Sequence, residues 1–200
     1  MKSQKPKISN GVKKGYTLVE VLVAVSIFTI LVAGPTGLFI TSLRGQRKAL
    51  ATMEILDNSS YALEYISRAL RMARKQTADE IGCLSTNGLN YEIPFAYQVN
   101  ENLGWGIKFI NYKGDACQEF YWDKTTNQLM ENKTGYSEPL PLTSADLEIV
   151  SGNFKLSGQS QDDDLQPSVT ISFEIQKGTQ PESKIRLQTT ISQRNLDIPY

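Results

Sequence analysis

The sequence predicts an α+β fold in which a long N-terminal helix packs against an antiparallel β-sheet head. Residues 21–43 carry no charge, and the apolar positions that follow recur at spacings of 3, 4 or 7, as on one face of a helix. After Gln76 the apolar period becomes 2, which is typical of half-buried antiparallel strands. We therefore expect one nearly continuous helix over residues 16–76 and a β-rich head over residues 77–200.

The apolar segment is long enough to cross a membrane. Its 23 residues would form a helix of ~34 Å at ~1.5 Å per residue, which spans a hydrocarbon core. A secretory signal would place a small-residue cleavage site after a short apolar core, whereas Gly15 precedes this one. Within the segment, Gly34, Pro35 and Gly37 predict a kink or a loosened stretch. The predicted parts are a leader (1–15), a transmembrane helix (16–43), an amphipathic continuation (44–76) and the head (77–200).

The charge distribution is strongly asymmetric although the net charge is zero. Residues 1–15 contain five Lys and no acid, residues 16–76 contain seven Lys and Arg against four Asp and Glu, and residues 77–200 contain nine against seventeen. A basic leader should stay in the cytoplasm and send the acidic head across the membrane. An acidic head also argues against nucleic-acid binding, which depends on clustered positive charge.

The helix and the strands should meet along one apolar stripe. The clearest strands are 167–176 and 183–192, with turn residues between them, and Gly152 indicates a bulge or turn in a further strand. We expect a single sheet that covers the stripe. Its predicted members are Leu43, Leu50, Met53, Leu56, Leu63, Ile66, Leu70 and Ala73. The further strands are predicted at 106–112, 117–123, 127–132 and 146–156.

The residue types of the head exclude several kinds of site. Histidine is absent, which excludes His-based triads and His-containing zinc sites, so we expect no enzyme, cofactor or metal centre. Cys83 and Cys117 both lie in the head. Outside the cytoplasm we expect them to form a disulfide, with two unpaired buried thiols as the alternative.

The decisive motif begins at Lys13 and reads KKGYTLVE, followed directly by the apolar helix. It resembles the N-terminus of type IV pilins and pseudopilins: a short basic leader ending in Gly, an aromatic or apolar residue, then Thr-Leu, a small apolar residue and Glu. The resemblance covers residues 7–43. It implies that a prepilin peptidase/methyltransferase cuts after Gly15 and N-methylates Tyr16, which stands where phenylalanine is commonest in the family.

Glu20 is a carboxylate at the start of a lipid-facing run, where an ionised side chain is costly unless a cation answers it. The resemblance implies that the cation is the free amine of Tyr16, four residues away on the same helix face and close to the positive end of the helix dipole. Between subunits, Glu20 of an incoming chain would meet the Tyr16 amine of a chain already in the filament. The alternative is a Glu at headgroup level surrounded by water.

The resemblance implies a structural subunit of a type IV pilus or of a secretion or competence pseudopilus. Its partners would be other pilin subunits, the prepilin peptidase, the inner-membrane assembly platform and membrane lipid. Residues 65–74 and the strand-rich head resemble the J-type minor pseudopilins and W-type minor pilins. Glu20 distinguishes the chain from the K-type tip subunit. The protein would be single-pass in the cytoplasmic (inner) membrane, then in a filament at the cell surface or in the periplasm. The alternative is a membrane-anchored binding module outside any filament.

Two charged groups are weaker candidates. Asp162, Asp163 and Asp164 could offer oxygen ligands to Ca²⁺, but three adjacent acids without spaced ligands are typical of a solvated loop. A basic patch near the end of the predicted helix should face solvent or the acidic head of a neighbouring subunit, with DNA uptake as the alternative. The patch consists of Arg68, Arg71, Arg74 and Lys75.

Overall fold

The computed structural model describes residues 15–77, 82–159, 165–178 and 180–194. The leader residues 1–14 and the acidic triplet Asp162–Asp164 lie outside the described residues. The α+β class is confirmed. In chain order the elements are α1 (Leu18–Arg71), β1 (Tyr91–Glu92), α2 (Ala96–Val99), β2 (Leu103–Ile110), β3 (Cys117–Asp123), β4 (Gln128–Lys133), β5 (Leu140–Pro141), β6 (Leu147–Ser157), β7 (Ser168–Lys177) and β8 (Gln180–Ser192).

Helix α1 is 54 residues long and runs through Pro35 without ending. A proline removes one backbone hydrogen bond, so the neighbouring turn needs other polar contacts. Thr36 Oγ1 donates to the carbonyl of Val32 at 2.7 Å, and Thr41 Oγ1 donates to that of Gly37 at 3.0 Å. The helix thus continues through Pro35, and the predicted kink stays a prediction.

The helix ends at Arg71, before the predicted end at Gln76, because the backbone that follows forms its hydrogen bonds with other segments of the head. The Arg74 N–H donates to the Ile110 carbonyl at 3.1 Å, and the Gln76 N–H donates to that of Leu89 at 2.9 Å. A backbone amide that bonds to a strand is no longer available to a helix.

The apolar stripe is confirmed at Ile66, Leu70 and Ala73, which are fully buried, and differs from the prediction in its earlier part. Leu50, Met53 and Leu56 are 66%, 60% and 41% exposed. The buried stripe uses smaller residues at spacings of 3 and 4, and a search for large apolar side chains overlooks these. Its members are Ala51, Ile55, Ser59, Ala62, Ile66 and Leu70. The polar member, Ser59, donates its hydroxyl to the Ile55 carbonyl at 2.6 Å, so its burial leaves no unpaired donor.

The strands form two sheets, and the prediction of a single sheet is wrong. One sheet has the order β1-β2-β3-β4-β5 and the other β6-β7-β8, with every neighbouring pair antiparallel. The six long strands lie where the period-2 pattern predicts them. That pattern shows which face of a strand is buried but carries no information on which strands share a sheet.

Gly152 does not mark the bulge in β6, because the register shift lies between Ile149 and Ser151. Its role is to make room for an aromatic ring. A Cβ on Gly152 would stand 2.6 Å from the Trp105 ring, and Trp105 in turn packs edge-on against Phe154 with centroids 5.1 Å apart. The glycine therefore lets β2 and β6 pack closely.

One hydrophobic core joins the second half of α1 to both sheets. Ile55, Ile66 and Leu70 of the helix are fully buried in it, and each such side chain stabilises the fold by roughly 1.5–3 kcal/mol. The strands contribute the aromatic members. Those buried members are Tyr91, Phe109, Phe120, Phe154 and Phe173.

A disulfide between Cys83 and Cys117 fastens the loop after α1 to β3, as predicted. Buried Gln76 holds the same loop. Its Oε1 accepts hydrogen bonds from the backbone N–H groups of Cys83 at 2.9 Å and Leu84 at 2.6 Å. The disulfide and the hydrogen bonds of Gln76 thus both hold this loop in place.

Candidate processing and assembly site

The start of α1 is fixed by Thr17. Its Oγ1 accepts a hydrogen bond from the Glu20 N–H at 3.3 Å, and its carbonyl accepts the bond from the Val21 N–H at 3.2 Å. A Thr followed three residues later by Glu is a capping signal, in which the hydroxyl satisfies a free N–H of the first turn. Gly15 and Tyr16 therefore precede the helix, and Glu20 lies in its first turn.

Glu20 stands on an apolar face of the helix. Tyr16, Glu20, Ala24 and Phe28 follow one another at intervals of four residues and border one shallow depression. Tyr16 is 82% exposed and Phe28 is 65% exposed. Among the described residues, no cation forms an ion pair with Glu20. The chain thus presents an exposed carboxylate bordered by apolar side chains.

Every residue from Gly15 to Leu50 is exposed. Helix α1 contains a window with a mean hydropathy of 2.3, of which none is buried, and it is the one described helix that is long and apolar enough to cross a membrane. A helix that is apolar on all sides is stable in lipid or among other helices but not in water. The apolar surroundings that the first half of α1 requires are therefore lipid or the helices of other molecules.

The fold itself does not require a glycine at position 15. A Cβ built on Gly15 meets no atom within 4 Å, and the same holds for Gly45 further along α1. The described residues thus give no steric reason for a glycine before Tyr16.

The N-terminal region matches a protein family described as the prokaryotic N-terminal methylation motif, over residues 11–34. The chain carries a methylation motif. This match supports a prepilin-processed subunit of the pilin or pseudopilin type. Together with the apolar helix, it indicates a membrane-anchored, pilus-associated protein. No curated protein and no solved structure showed significant similarity to this chain.

The structure brings only some of the candidate residues together. Gly15 and Tyr16 directly precede α1 and Glu20 lies in its first turn, whereas the disulfide belongs to the head. The described residues contain no cluster of acids or cysteines able to hold a metal ion. Thr17 was not predicted as a helix cap, although its Thr-x-x-Glu spacing to Glu20 indicates one.

The basic patch is not a single site. Arg68 pairs with Glu64 at 2.7 Å on the exposed side of α1. Arg74 has left the helix, and its Nη1 donates to the Lys113 carbonyl at 3.4 Å. The patch therefore divides between the helix surface and the first residues that join the sheet.

Proposed function

We propose that this chain is a minor structural subunit of a type IV pilus or a type II secretion-like pseudopilus, without enzymatic activity. The observation that carries the proposal is the arrangement at the start of α1. A sterically unconstrained Gly15 is followed by an exposed Tyr16 and by Glu20 on an unburied apolar helix. A membrane anchor needs only the apolar helix, whereas a cleaved and assembled subunit needs all of these features.

The proposed maturation step is cleavage of the peptide bond between Gly15 and Tyr16 by the prepilin peptidase, followed by methylation of the new amine. The glycine would let the peptidase approach the backbone closely, because glycine lacks a Cβ. Removal of the leader would also remove five lysines and leave one positive charge, the Tyr16 amine, at the N-terminal end of the apolar segment.

The proposed assembly step is an ion pair between subunits. In apolar surroundings an unpaired carboxylate is costly, and a cation at hydrogen-bonding distance offsets that cost. Glu20 of one subunit would therefore favour the one axial position at which it meets the Tyr16 amine of its neighbour. The subunit would contribute α1 to the bundle of helices and its head to lateral contacts.

Determination of the mature N-terminus tests the maturation step. We expect protein from cells with an active prepilin peptidase to begin at N-methylated Tyr16. Gly15→Ala should keep all 15 leader residues, and Gly45→Ala is the matched control because neither position is crowded. Protein that still begins at Met1 in the presence of the peptidase would favour the anchored binding module instead.

A further inference from the structure

A group of three cations follows the uncharged run of α1 directly. Arg44, Arg47 and Lys48 come after residues 21–43, and residues 21–53 contain no acid. All three side chains are exposed, and none forms an ion pair with a described residue. We call these three residues the boundary cations. They place three positive charges at one end of the apolar segment, with no acid nearby on the helix to neutralise them.

The boundary cations lie on one side of α1. Residues at positions i, i+3 and i+4 of a helix are neighbours on its surface, and at 100° per residue the three positions fall within an arc of about 100°. Like charges this close repel each other and destabilise the helix. An anion bound between them would remove that repulsion, because it could contact more than one of the cations at once.

The later exposed surface of α1 is charged differently. There Glu54 forms an ion pair with Lys177, and Arg68 pairs with Glu64 at 2.7 Å. Acids and bases thus alternate where the helix adjoins the head, as is typical of a surface that faces water. The boundary cations carry a single sign of charge, which favours an anionic partner from outside the chain.

The spacing along α1 places the boundary cations at a membrane surface. Arg44 follows Glu20 by 24 positions, which is ~36 Å along a helix. The hydrocarbon core of a bilayer is about 30 Å thick, or about 40–45 Å with the headgroup regions. A core that surrounds residues 21–43 therefore leaves Glu20 and Arg44 at opposite headgroup levels. The anions at the Arg44 level are lipid phosphates, which the long arginine and lysine side chains can reach.

We propose that the boundary cations bind the headgroups of anionic phospholipids at the end of the apolar segment opposite Glu20. Guanidinium groups bind phosphate oxygens through paired hydrogen bonds. A zwitterionic headgroup carries its own cation, so it neutralises this site less well than a headgroup with a net negative charge. The inference rests on the membrane anchoring of α1 and goes beyond the proposed filament role, on which it does not depend.

Native mass spectrometry of the full-length protein in mild detergent tests the proposal. Phosphatidylglycerol is titrated as the anionic lipid, and phosphatidylcholine with the same acyl chains is the zwitterionic comparison. We expect phosphatidylglycerol to bind at least about tenfold more tightly. A cation near an anionic lipid surface strengthens binding about fivefold, so two or three of them account for such a preference.

The test variant combines Arg44→Gln, Arg47→Gln and Lys48→Gln. Its affinity for phosphatidylglycerol should fall by at least about tenfold, and by up to ~100-fold if the three cations contribute equally. Its affinity for phosphatidylcholine should stay unchanged. Arg44→Lys combined with Arg47→Lys should keep most of the affinity, because both changes keep the positive charge.

The matched control combines Arg68→Gln, Arg71→Gln and Lys113→Gln, which removes three exposed cations elsewhere in the chain. It should bind phosphatidylglycerol like the wild type. An equal loss in the control, or no loss in the test variant, would overturn the proposal. Displacement of the lipid by excess inorganic phosphate would overturn it in favour of a simple anion site. Loss of a dimer signal in place of lipid adducts would overturn it and assign the boundary cations to a neighbouring chain.

Discussion

The two halves of α1 belong to one helix but differ in the burial of their apolar side chains. In the first half, residues 18–46, every side chain is exposed and most are apolar. In the second half, residues 47–71, a narrow stripe is buried while the positions between are exposed or partly exposed. The second half finds its apolar partner in the strands of the same chain. The first half is exposed throughout among the described residues, and a helix that is apolar on all sides is stable in lipid or among other helices.

The comparison predicts that changes in the two halves have separate consequences. Substitutions in the first half should alter processing or incorporation and leave the unfolding of the head unchanged. Substitutions in the buried stripe should lower the free energy of unfolding of the head. The strongest expected effects come first below.

Glu20→Ala should be cleaved normally yet be incorporated into filaments ~100-fold less well, because breaking a desolvated ion pair costs about 3 kcal/mol or more. Quantifying subunits in sheared filaments measures this. Asp57→Ala is the control, since Asp57 is an exposed acid on the same helix but outside the apolar half. Undiminished incorporation of the Glu20 variant would remove the pairing role.

Replacing both Cys83 and Cys117 with Ser should destabilise the head by roughly 3–4 kcal/mol, the chain-entropy estimate for a loop of this length. The bond closes a segment with a sequence separation of 34. Urea denaturation followed by far-UV circular dichroism measures the loss. An unchanged midpoint would mean that the buried contacts of Gln76 alone hold the loop.

Ile66→Ala should lower the free energy of unfolding of the head by about 2–4 kcal/mol through a cavity in the core. Leu50→Ala, a loss of similar size at a position that is 66% exposed, should change it by less than about 0.5 kcal/mol. The same urea titration compares them. Similar losses at the two positions would contradict the assignment of the buried stripe.

Thr17→Val should have the smallest effect on assembly. Loss of the helix cap costs about 1 kcal/mol, so we expect incorporation to fall only severalfold, and Thr17→Ser should restore it. The stability of the head should not change. A defect as large as that of Glu20→Ala would instead give Thr17 a direct role in subunit contact.

The sequence predicted the elements better than their arrangement. The change of apolar period predicted the long helix and six strands, because periodicity reports how a segment is buried. It did not predict two sheets, since pairing depends on contacts distant in sequence. It also misplaced the first part of the stripe, where the small residues Ala51, Ser59 and Ala62 are buried while larger apolar neighbours are exposed.

The candidate processing and assembly site is local in sequence, and the roles of its residues stay predictions. Gly15, Tyr16 and Glu20 are neighbours in sequence, so they lie close together at the start of α1 whatever the rest of the fold. A groove between the end of α1 and the five-stranded sheet is lined by Tyr65 and Lys133, which are 68 positions apart in the chain. No local sequence pattern indicates this groove. Local sites can thus be found from sequence, whereas sites built by tertiary packing require the fold.

The position of both tryptophans in strands gives the head a fluorescence signal of its own. The chain has two tryptophans; Trp105 lies against Gly152 and Trp122 against Gly104, and neither belongs to α1. Fluorescence excited selectively in indole should therefore report on the strands alone, even when the protein is embedded in vesicles. Such emission would allow the head to be followed during filament growth without any attached dye.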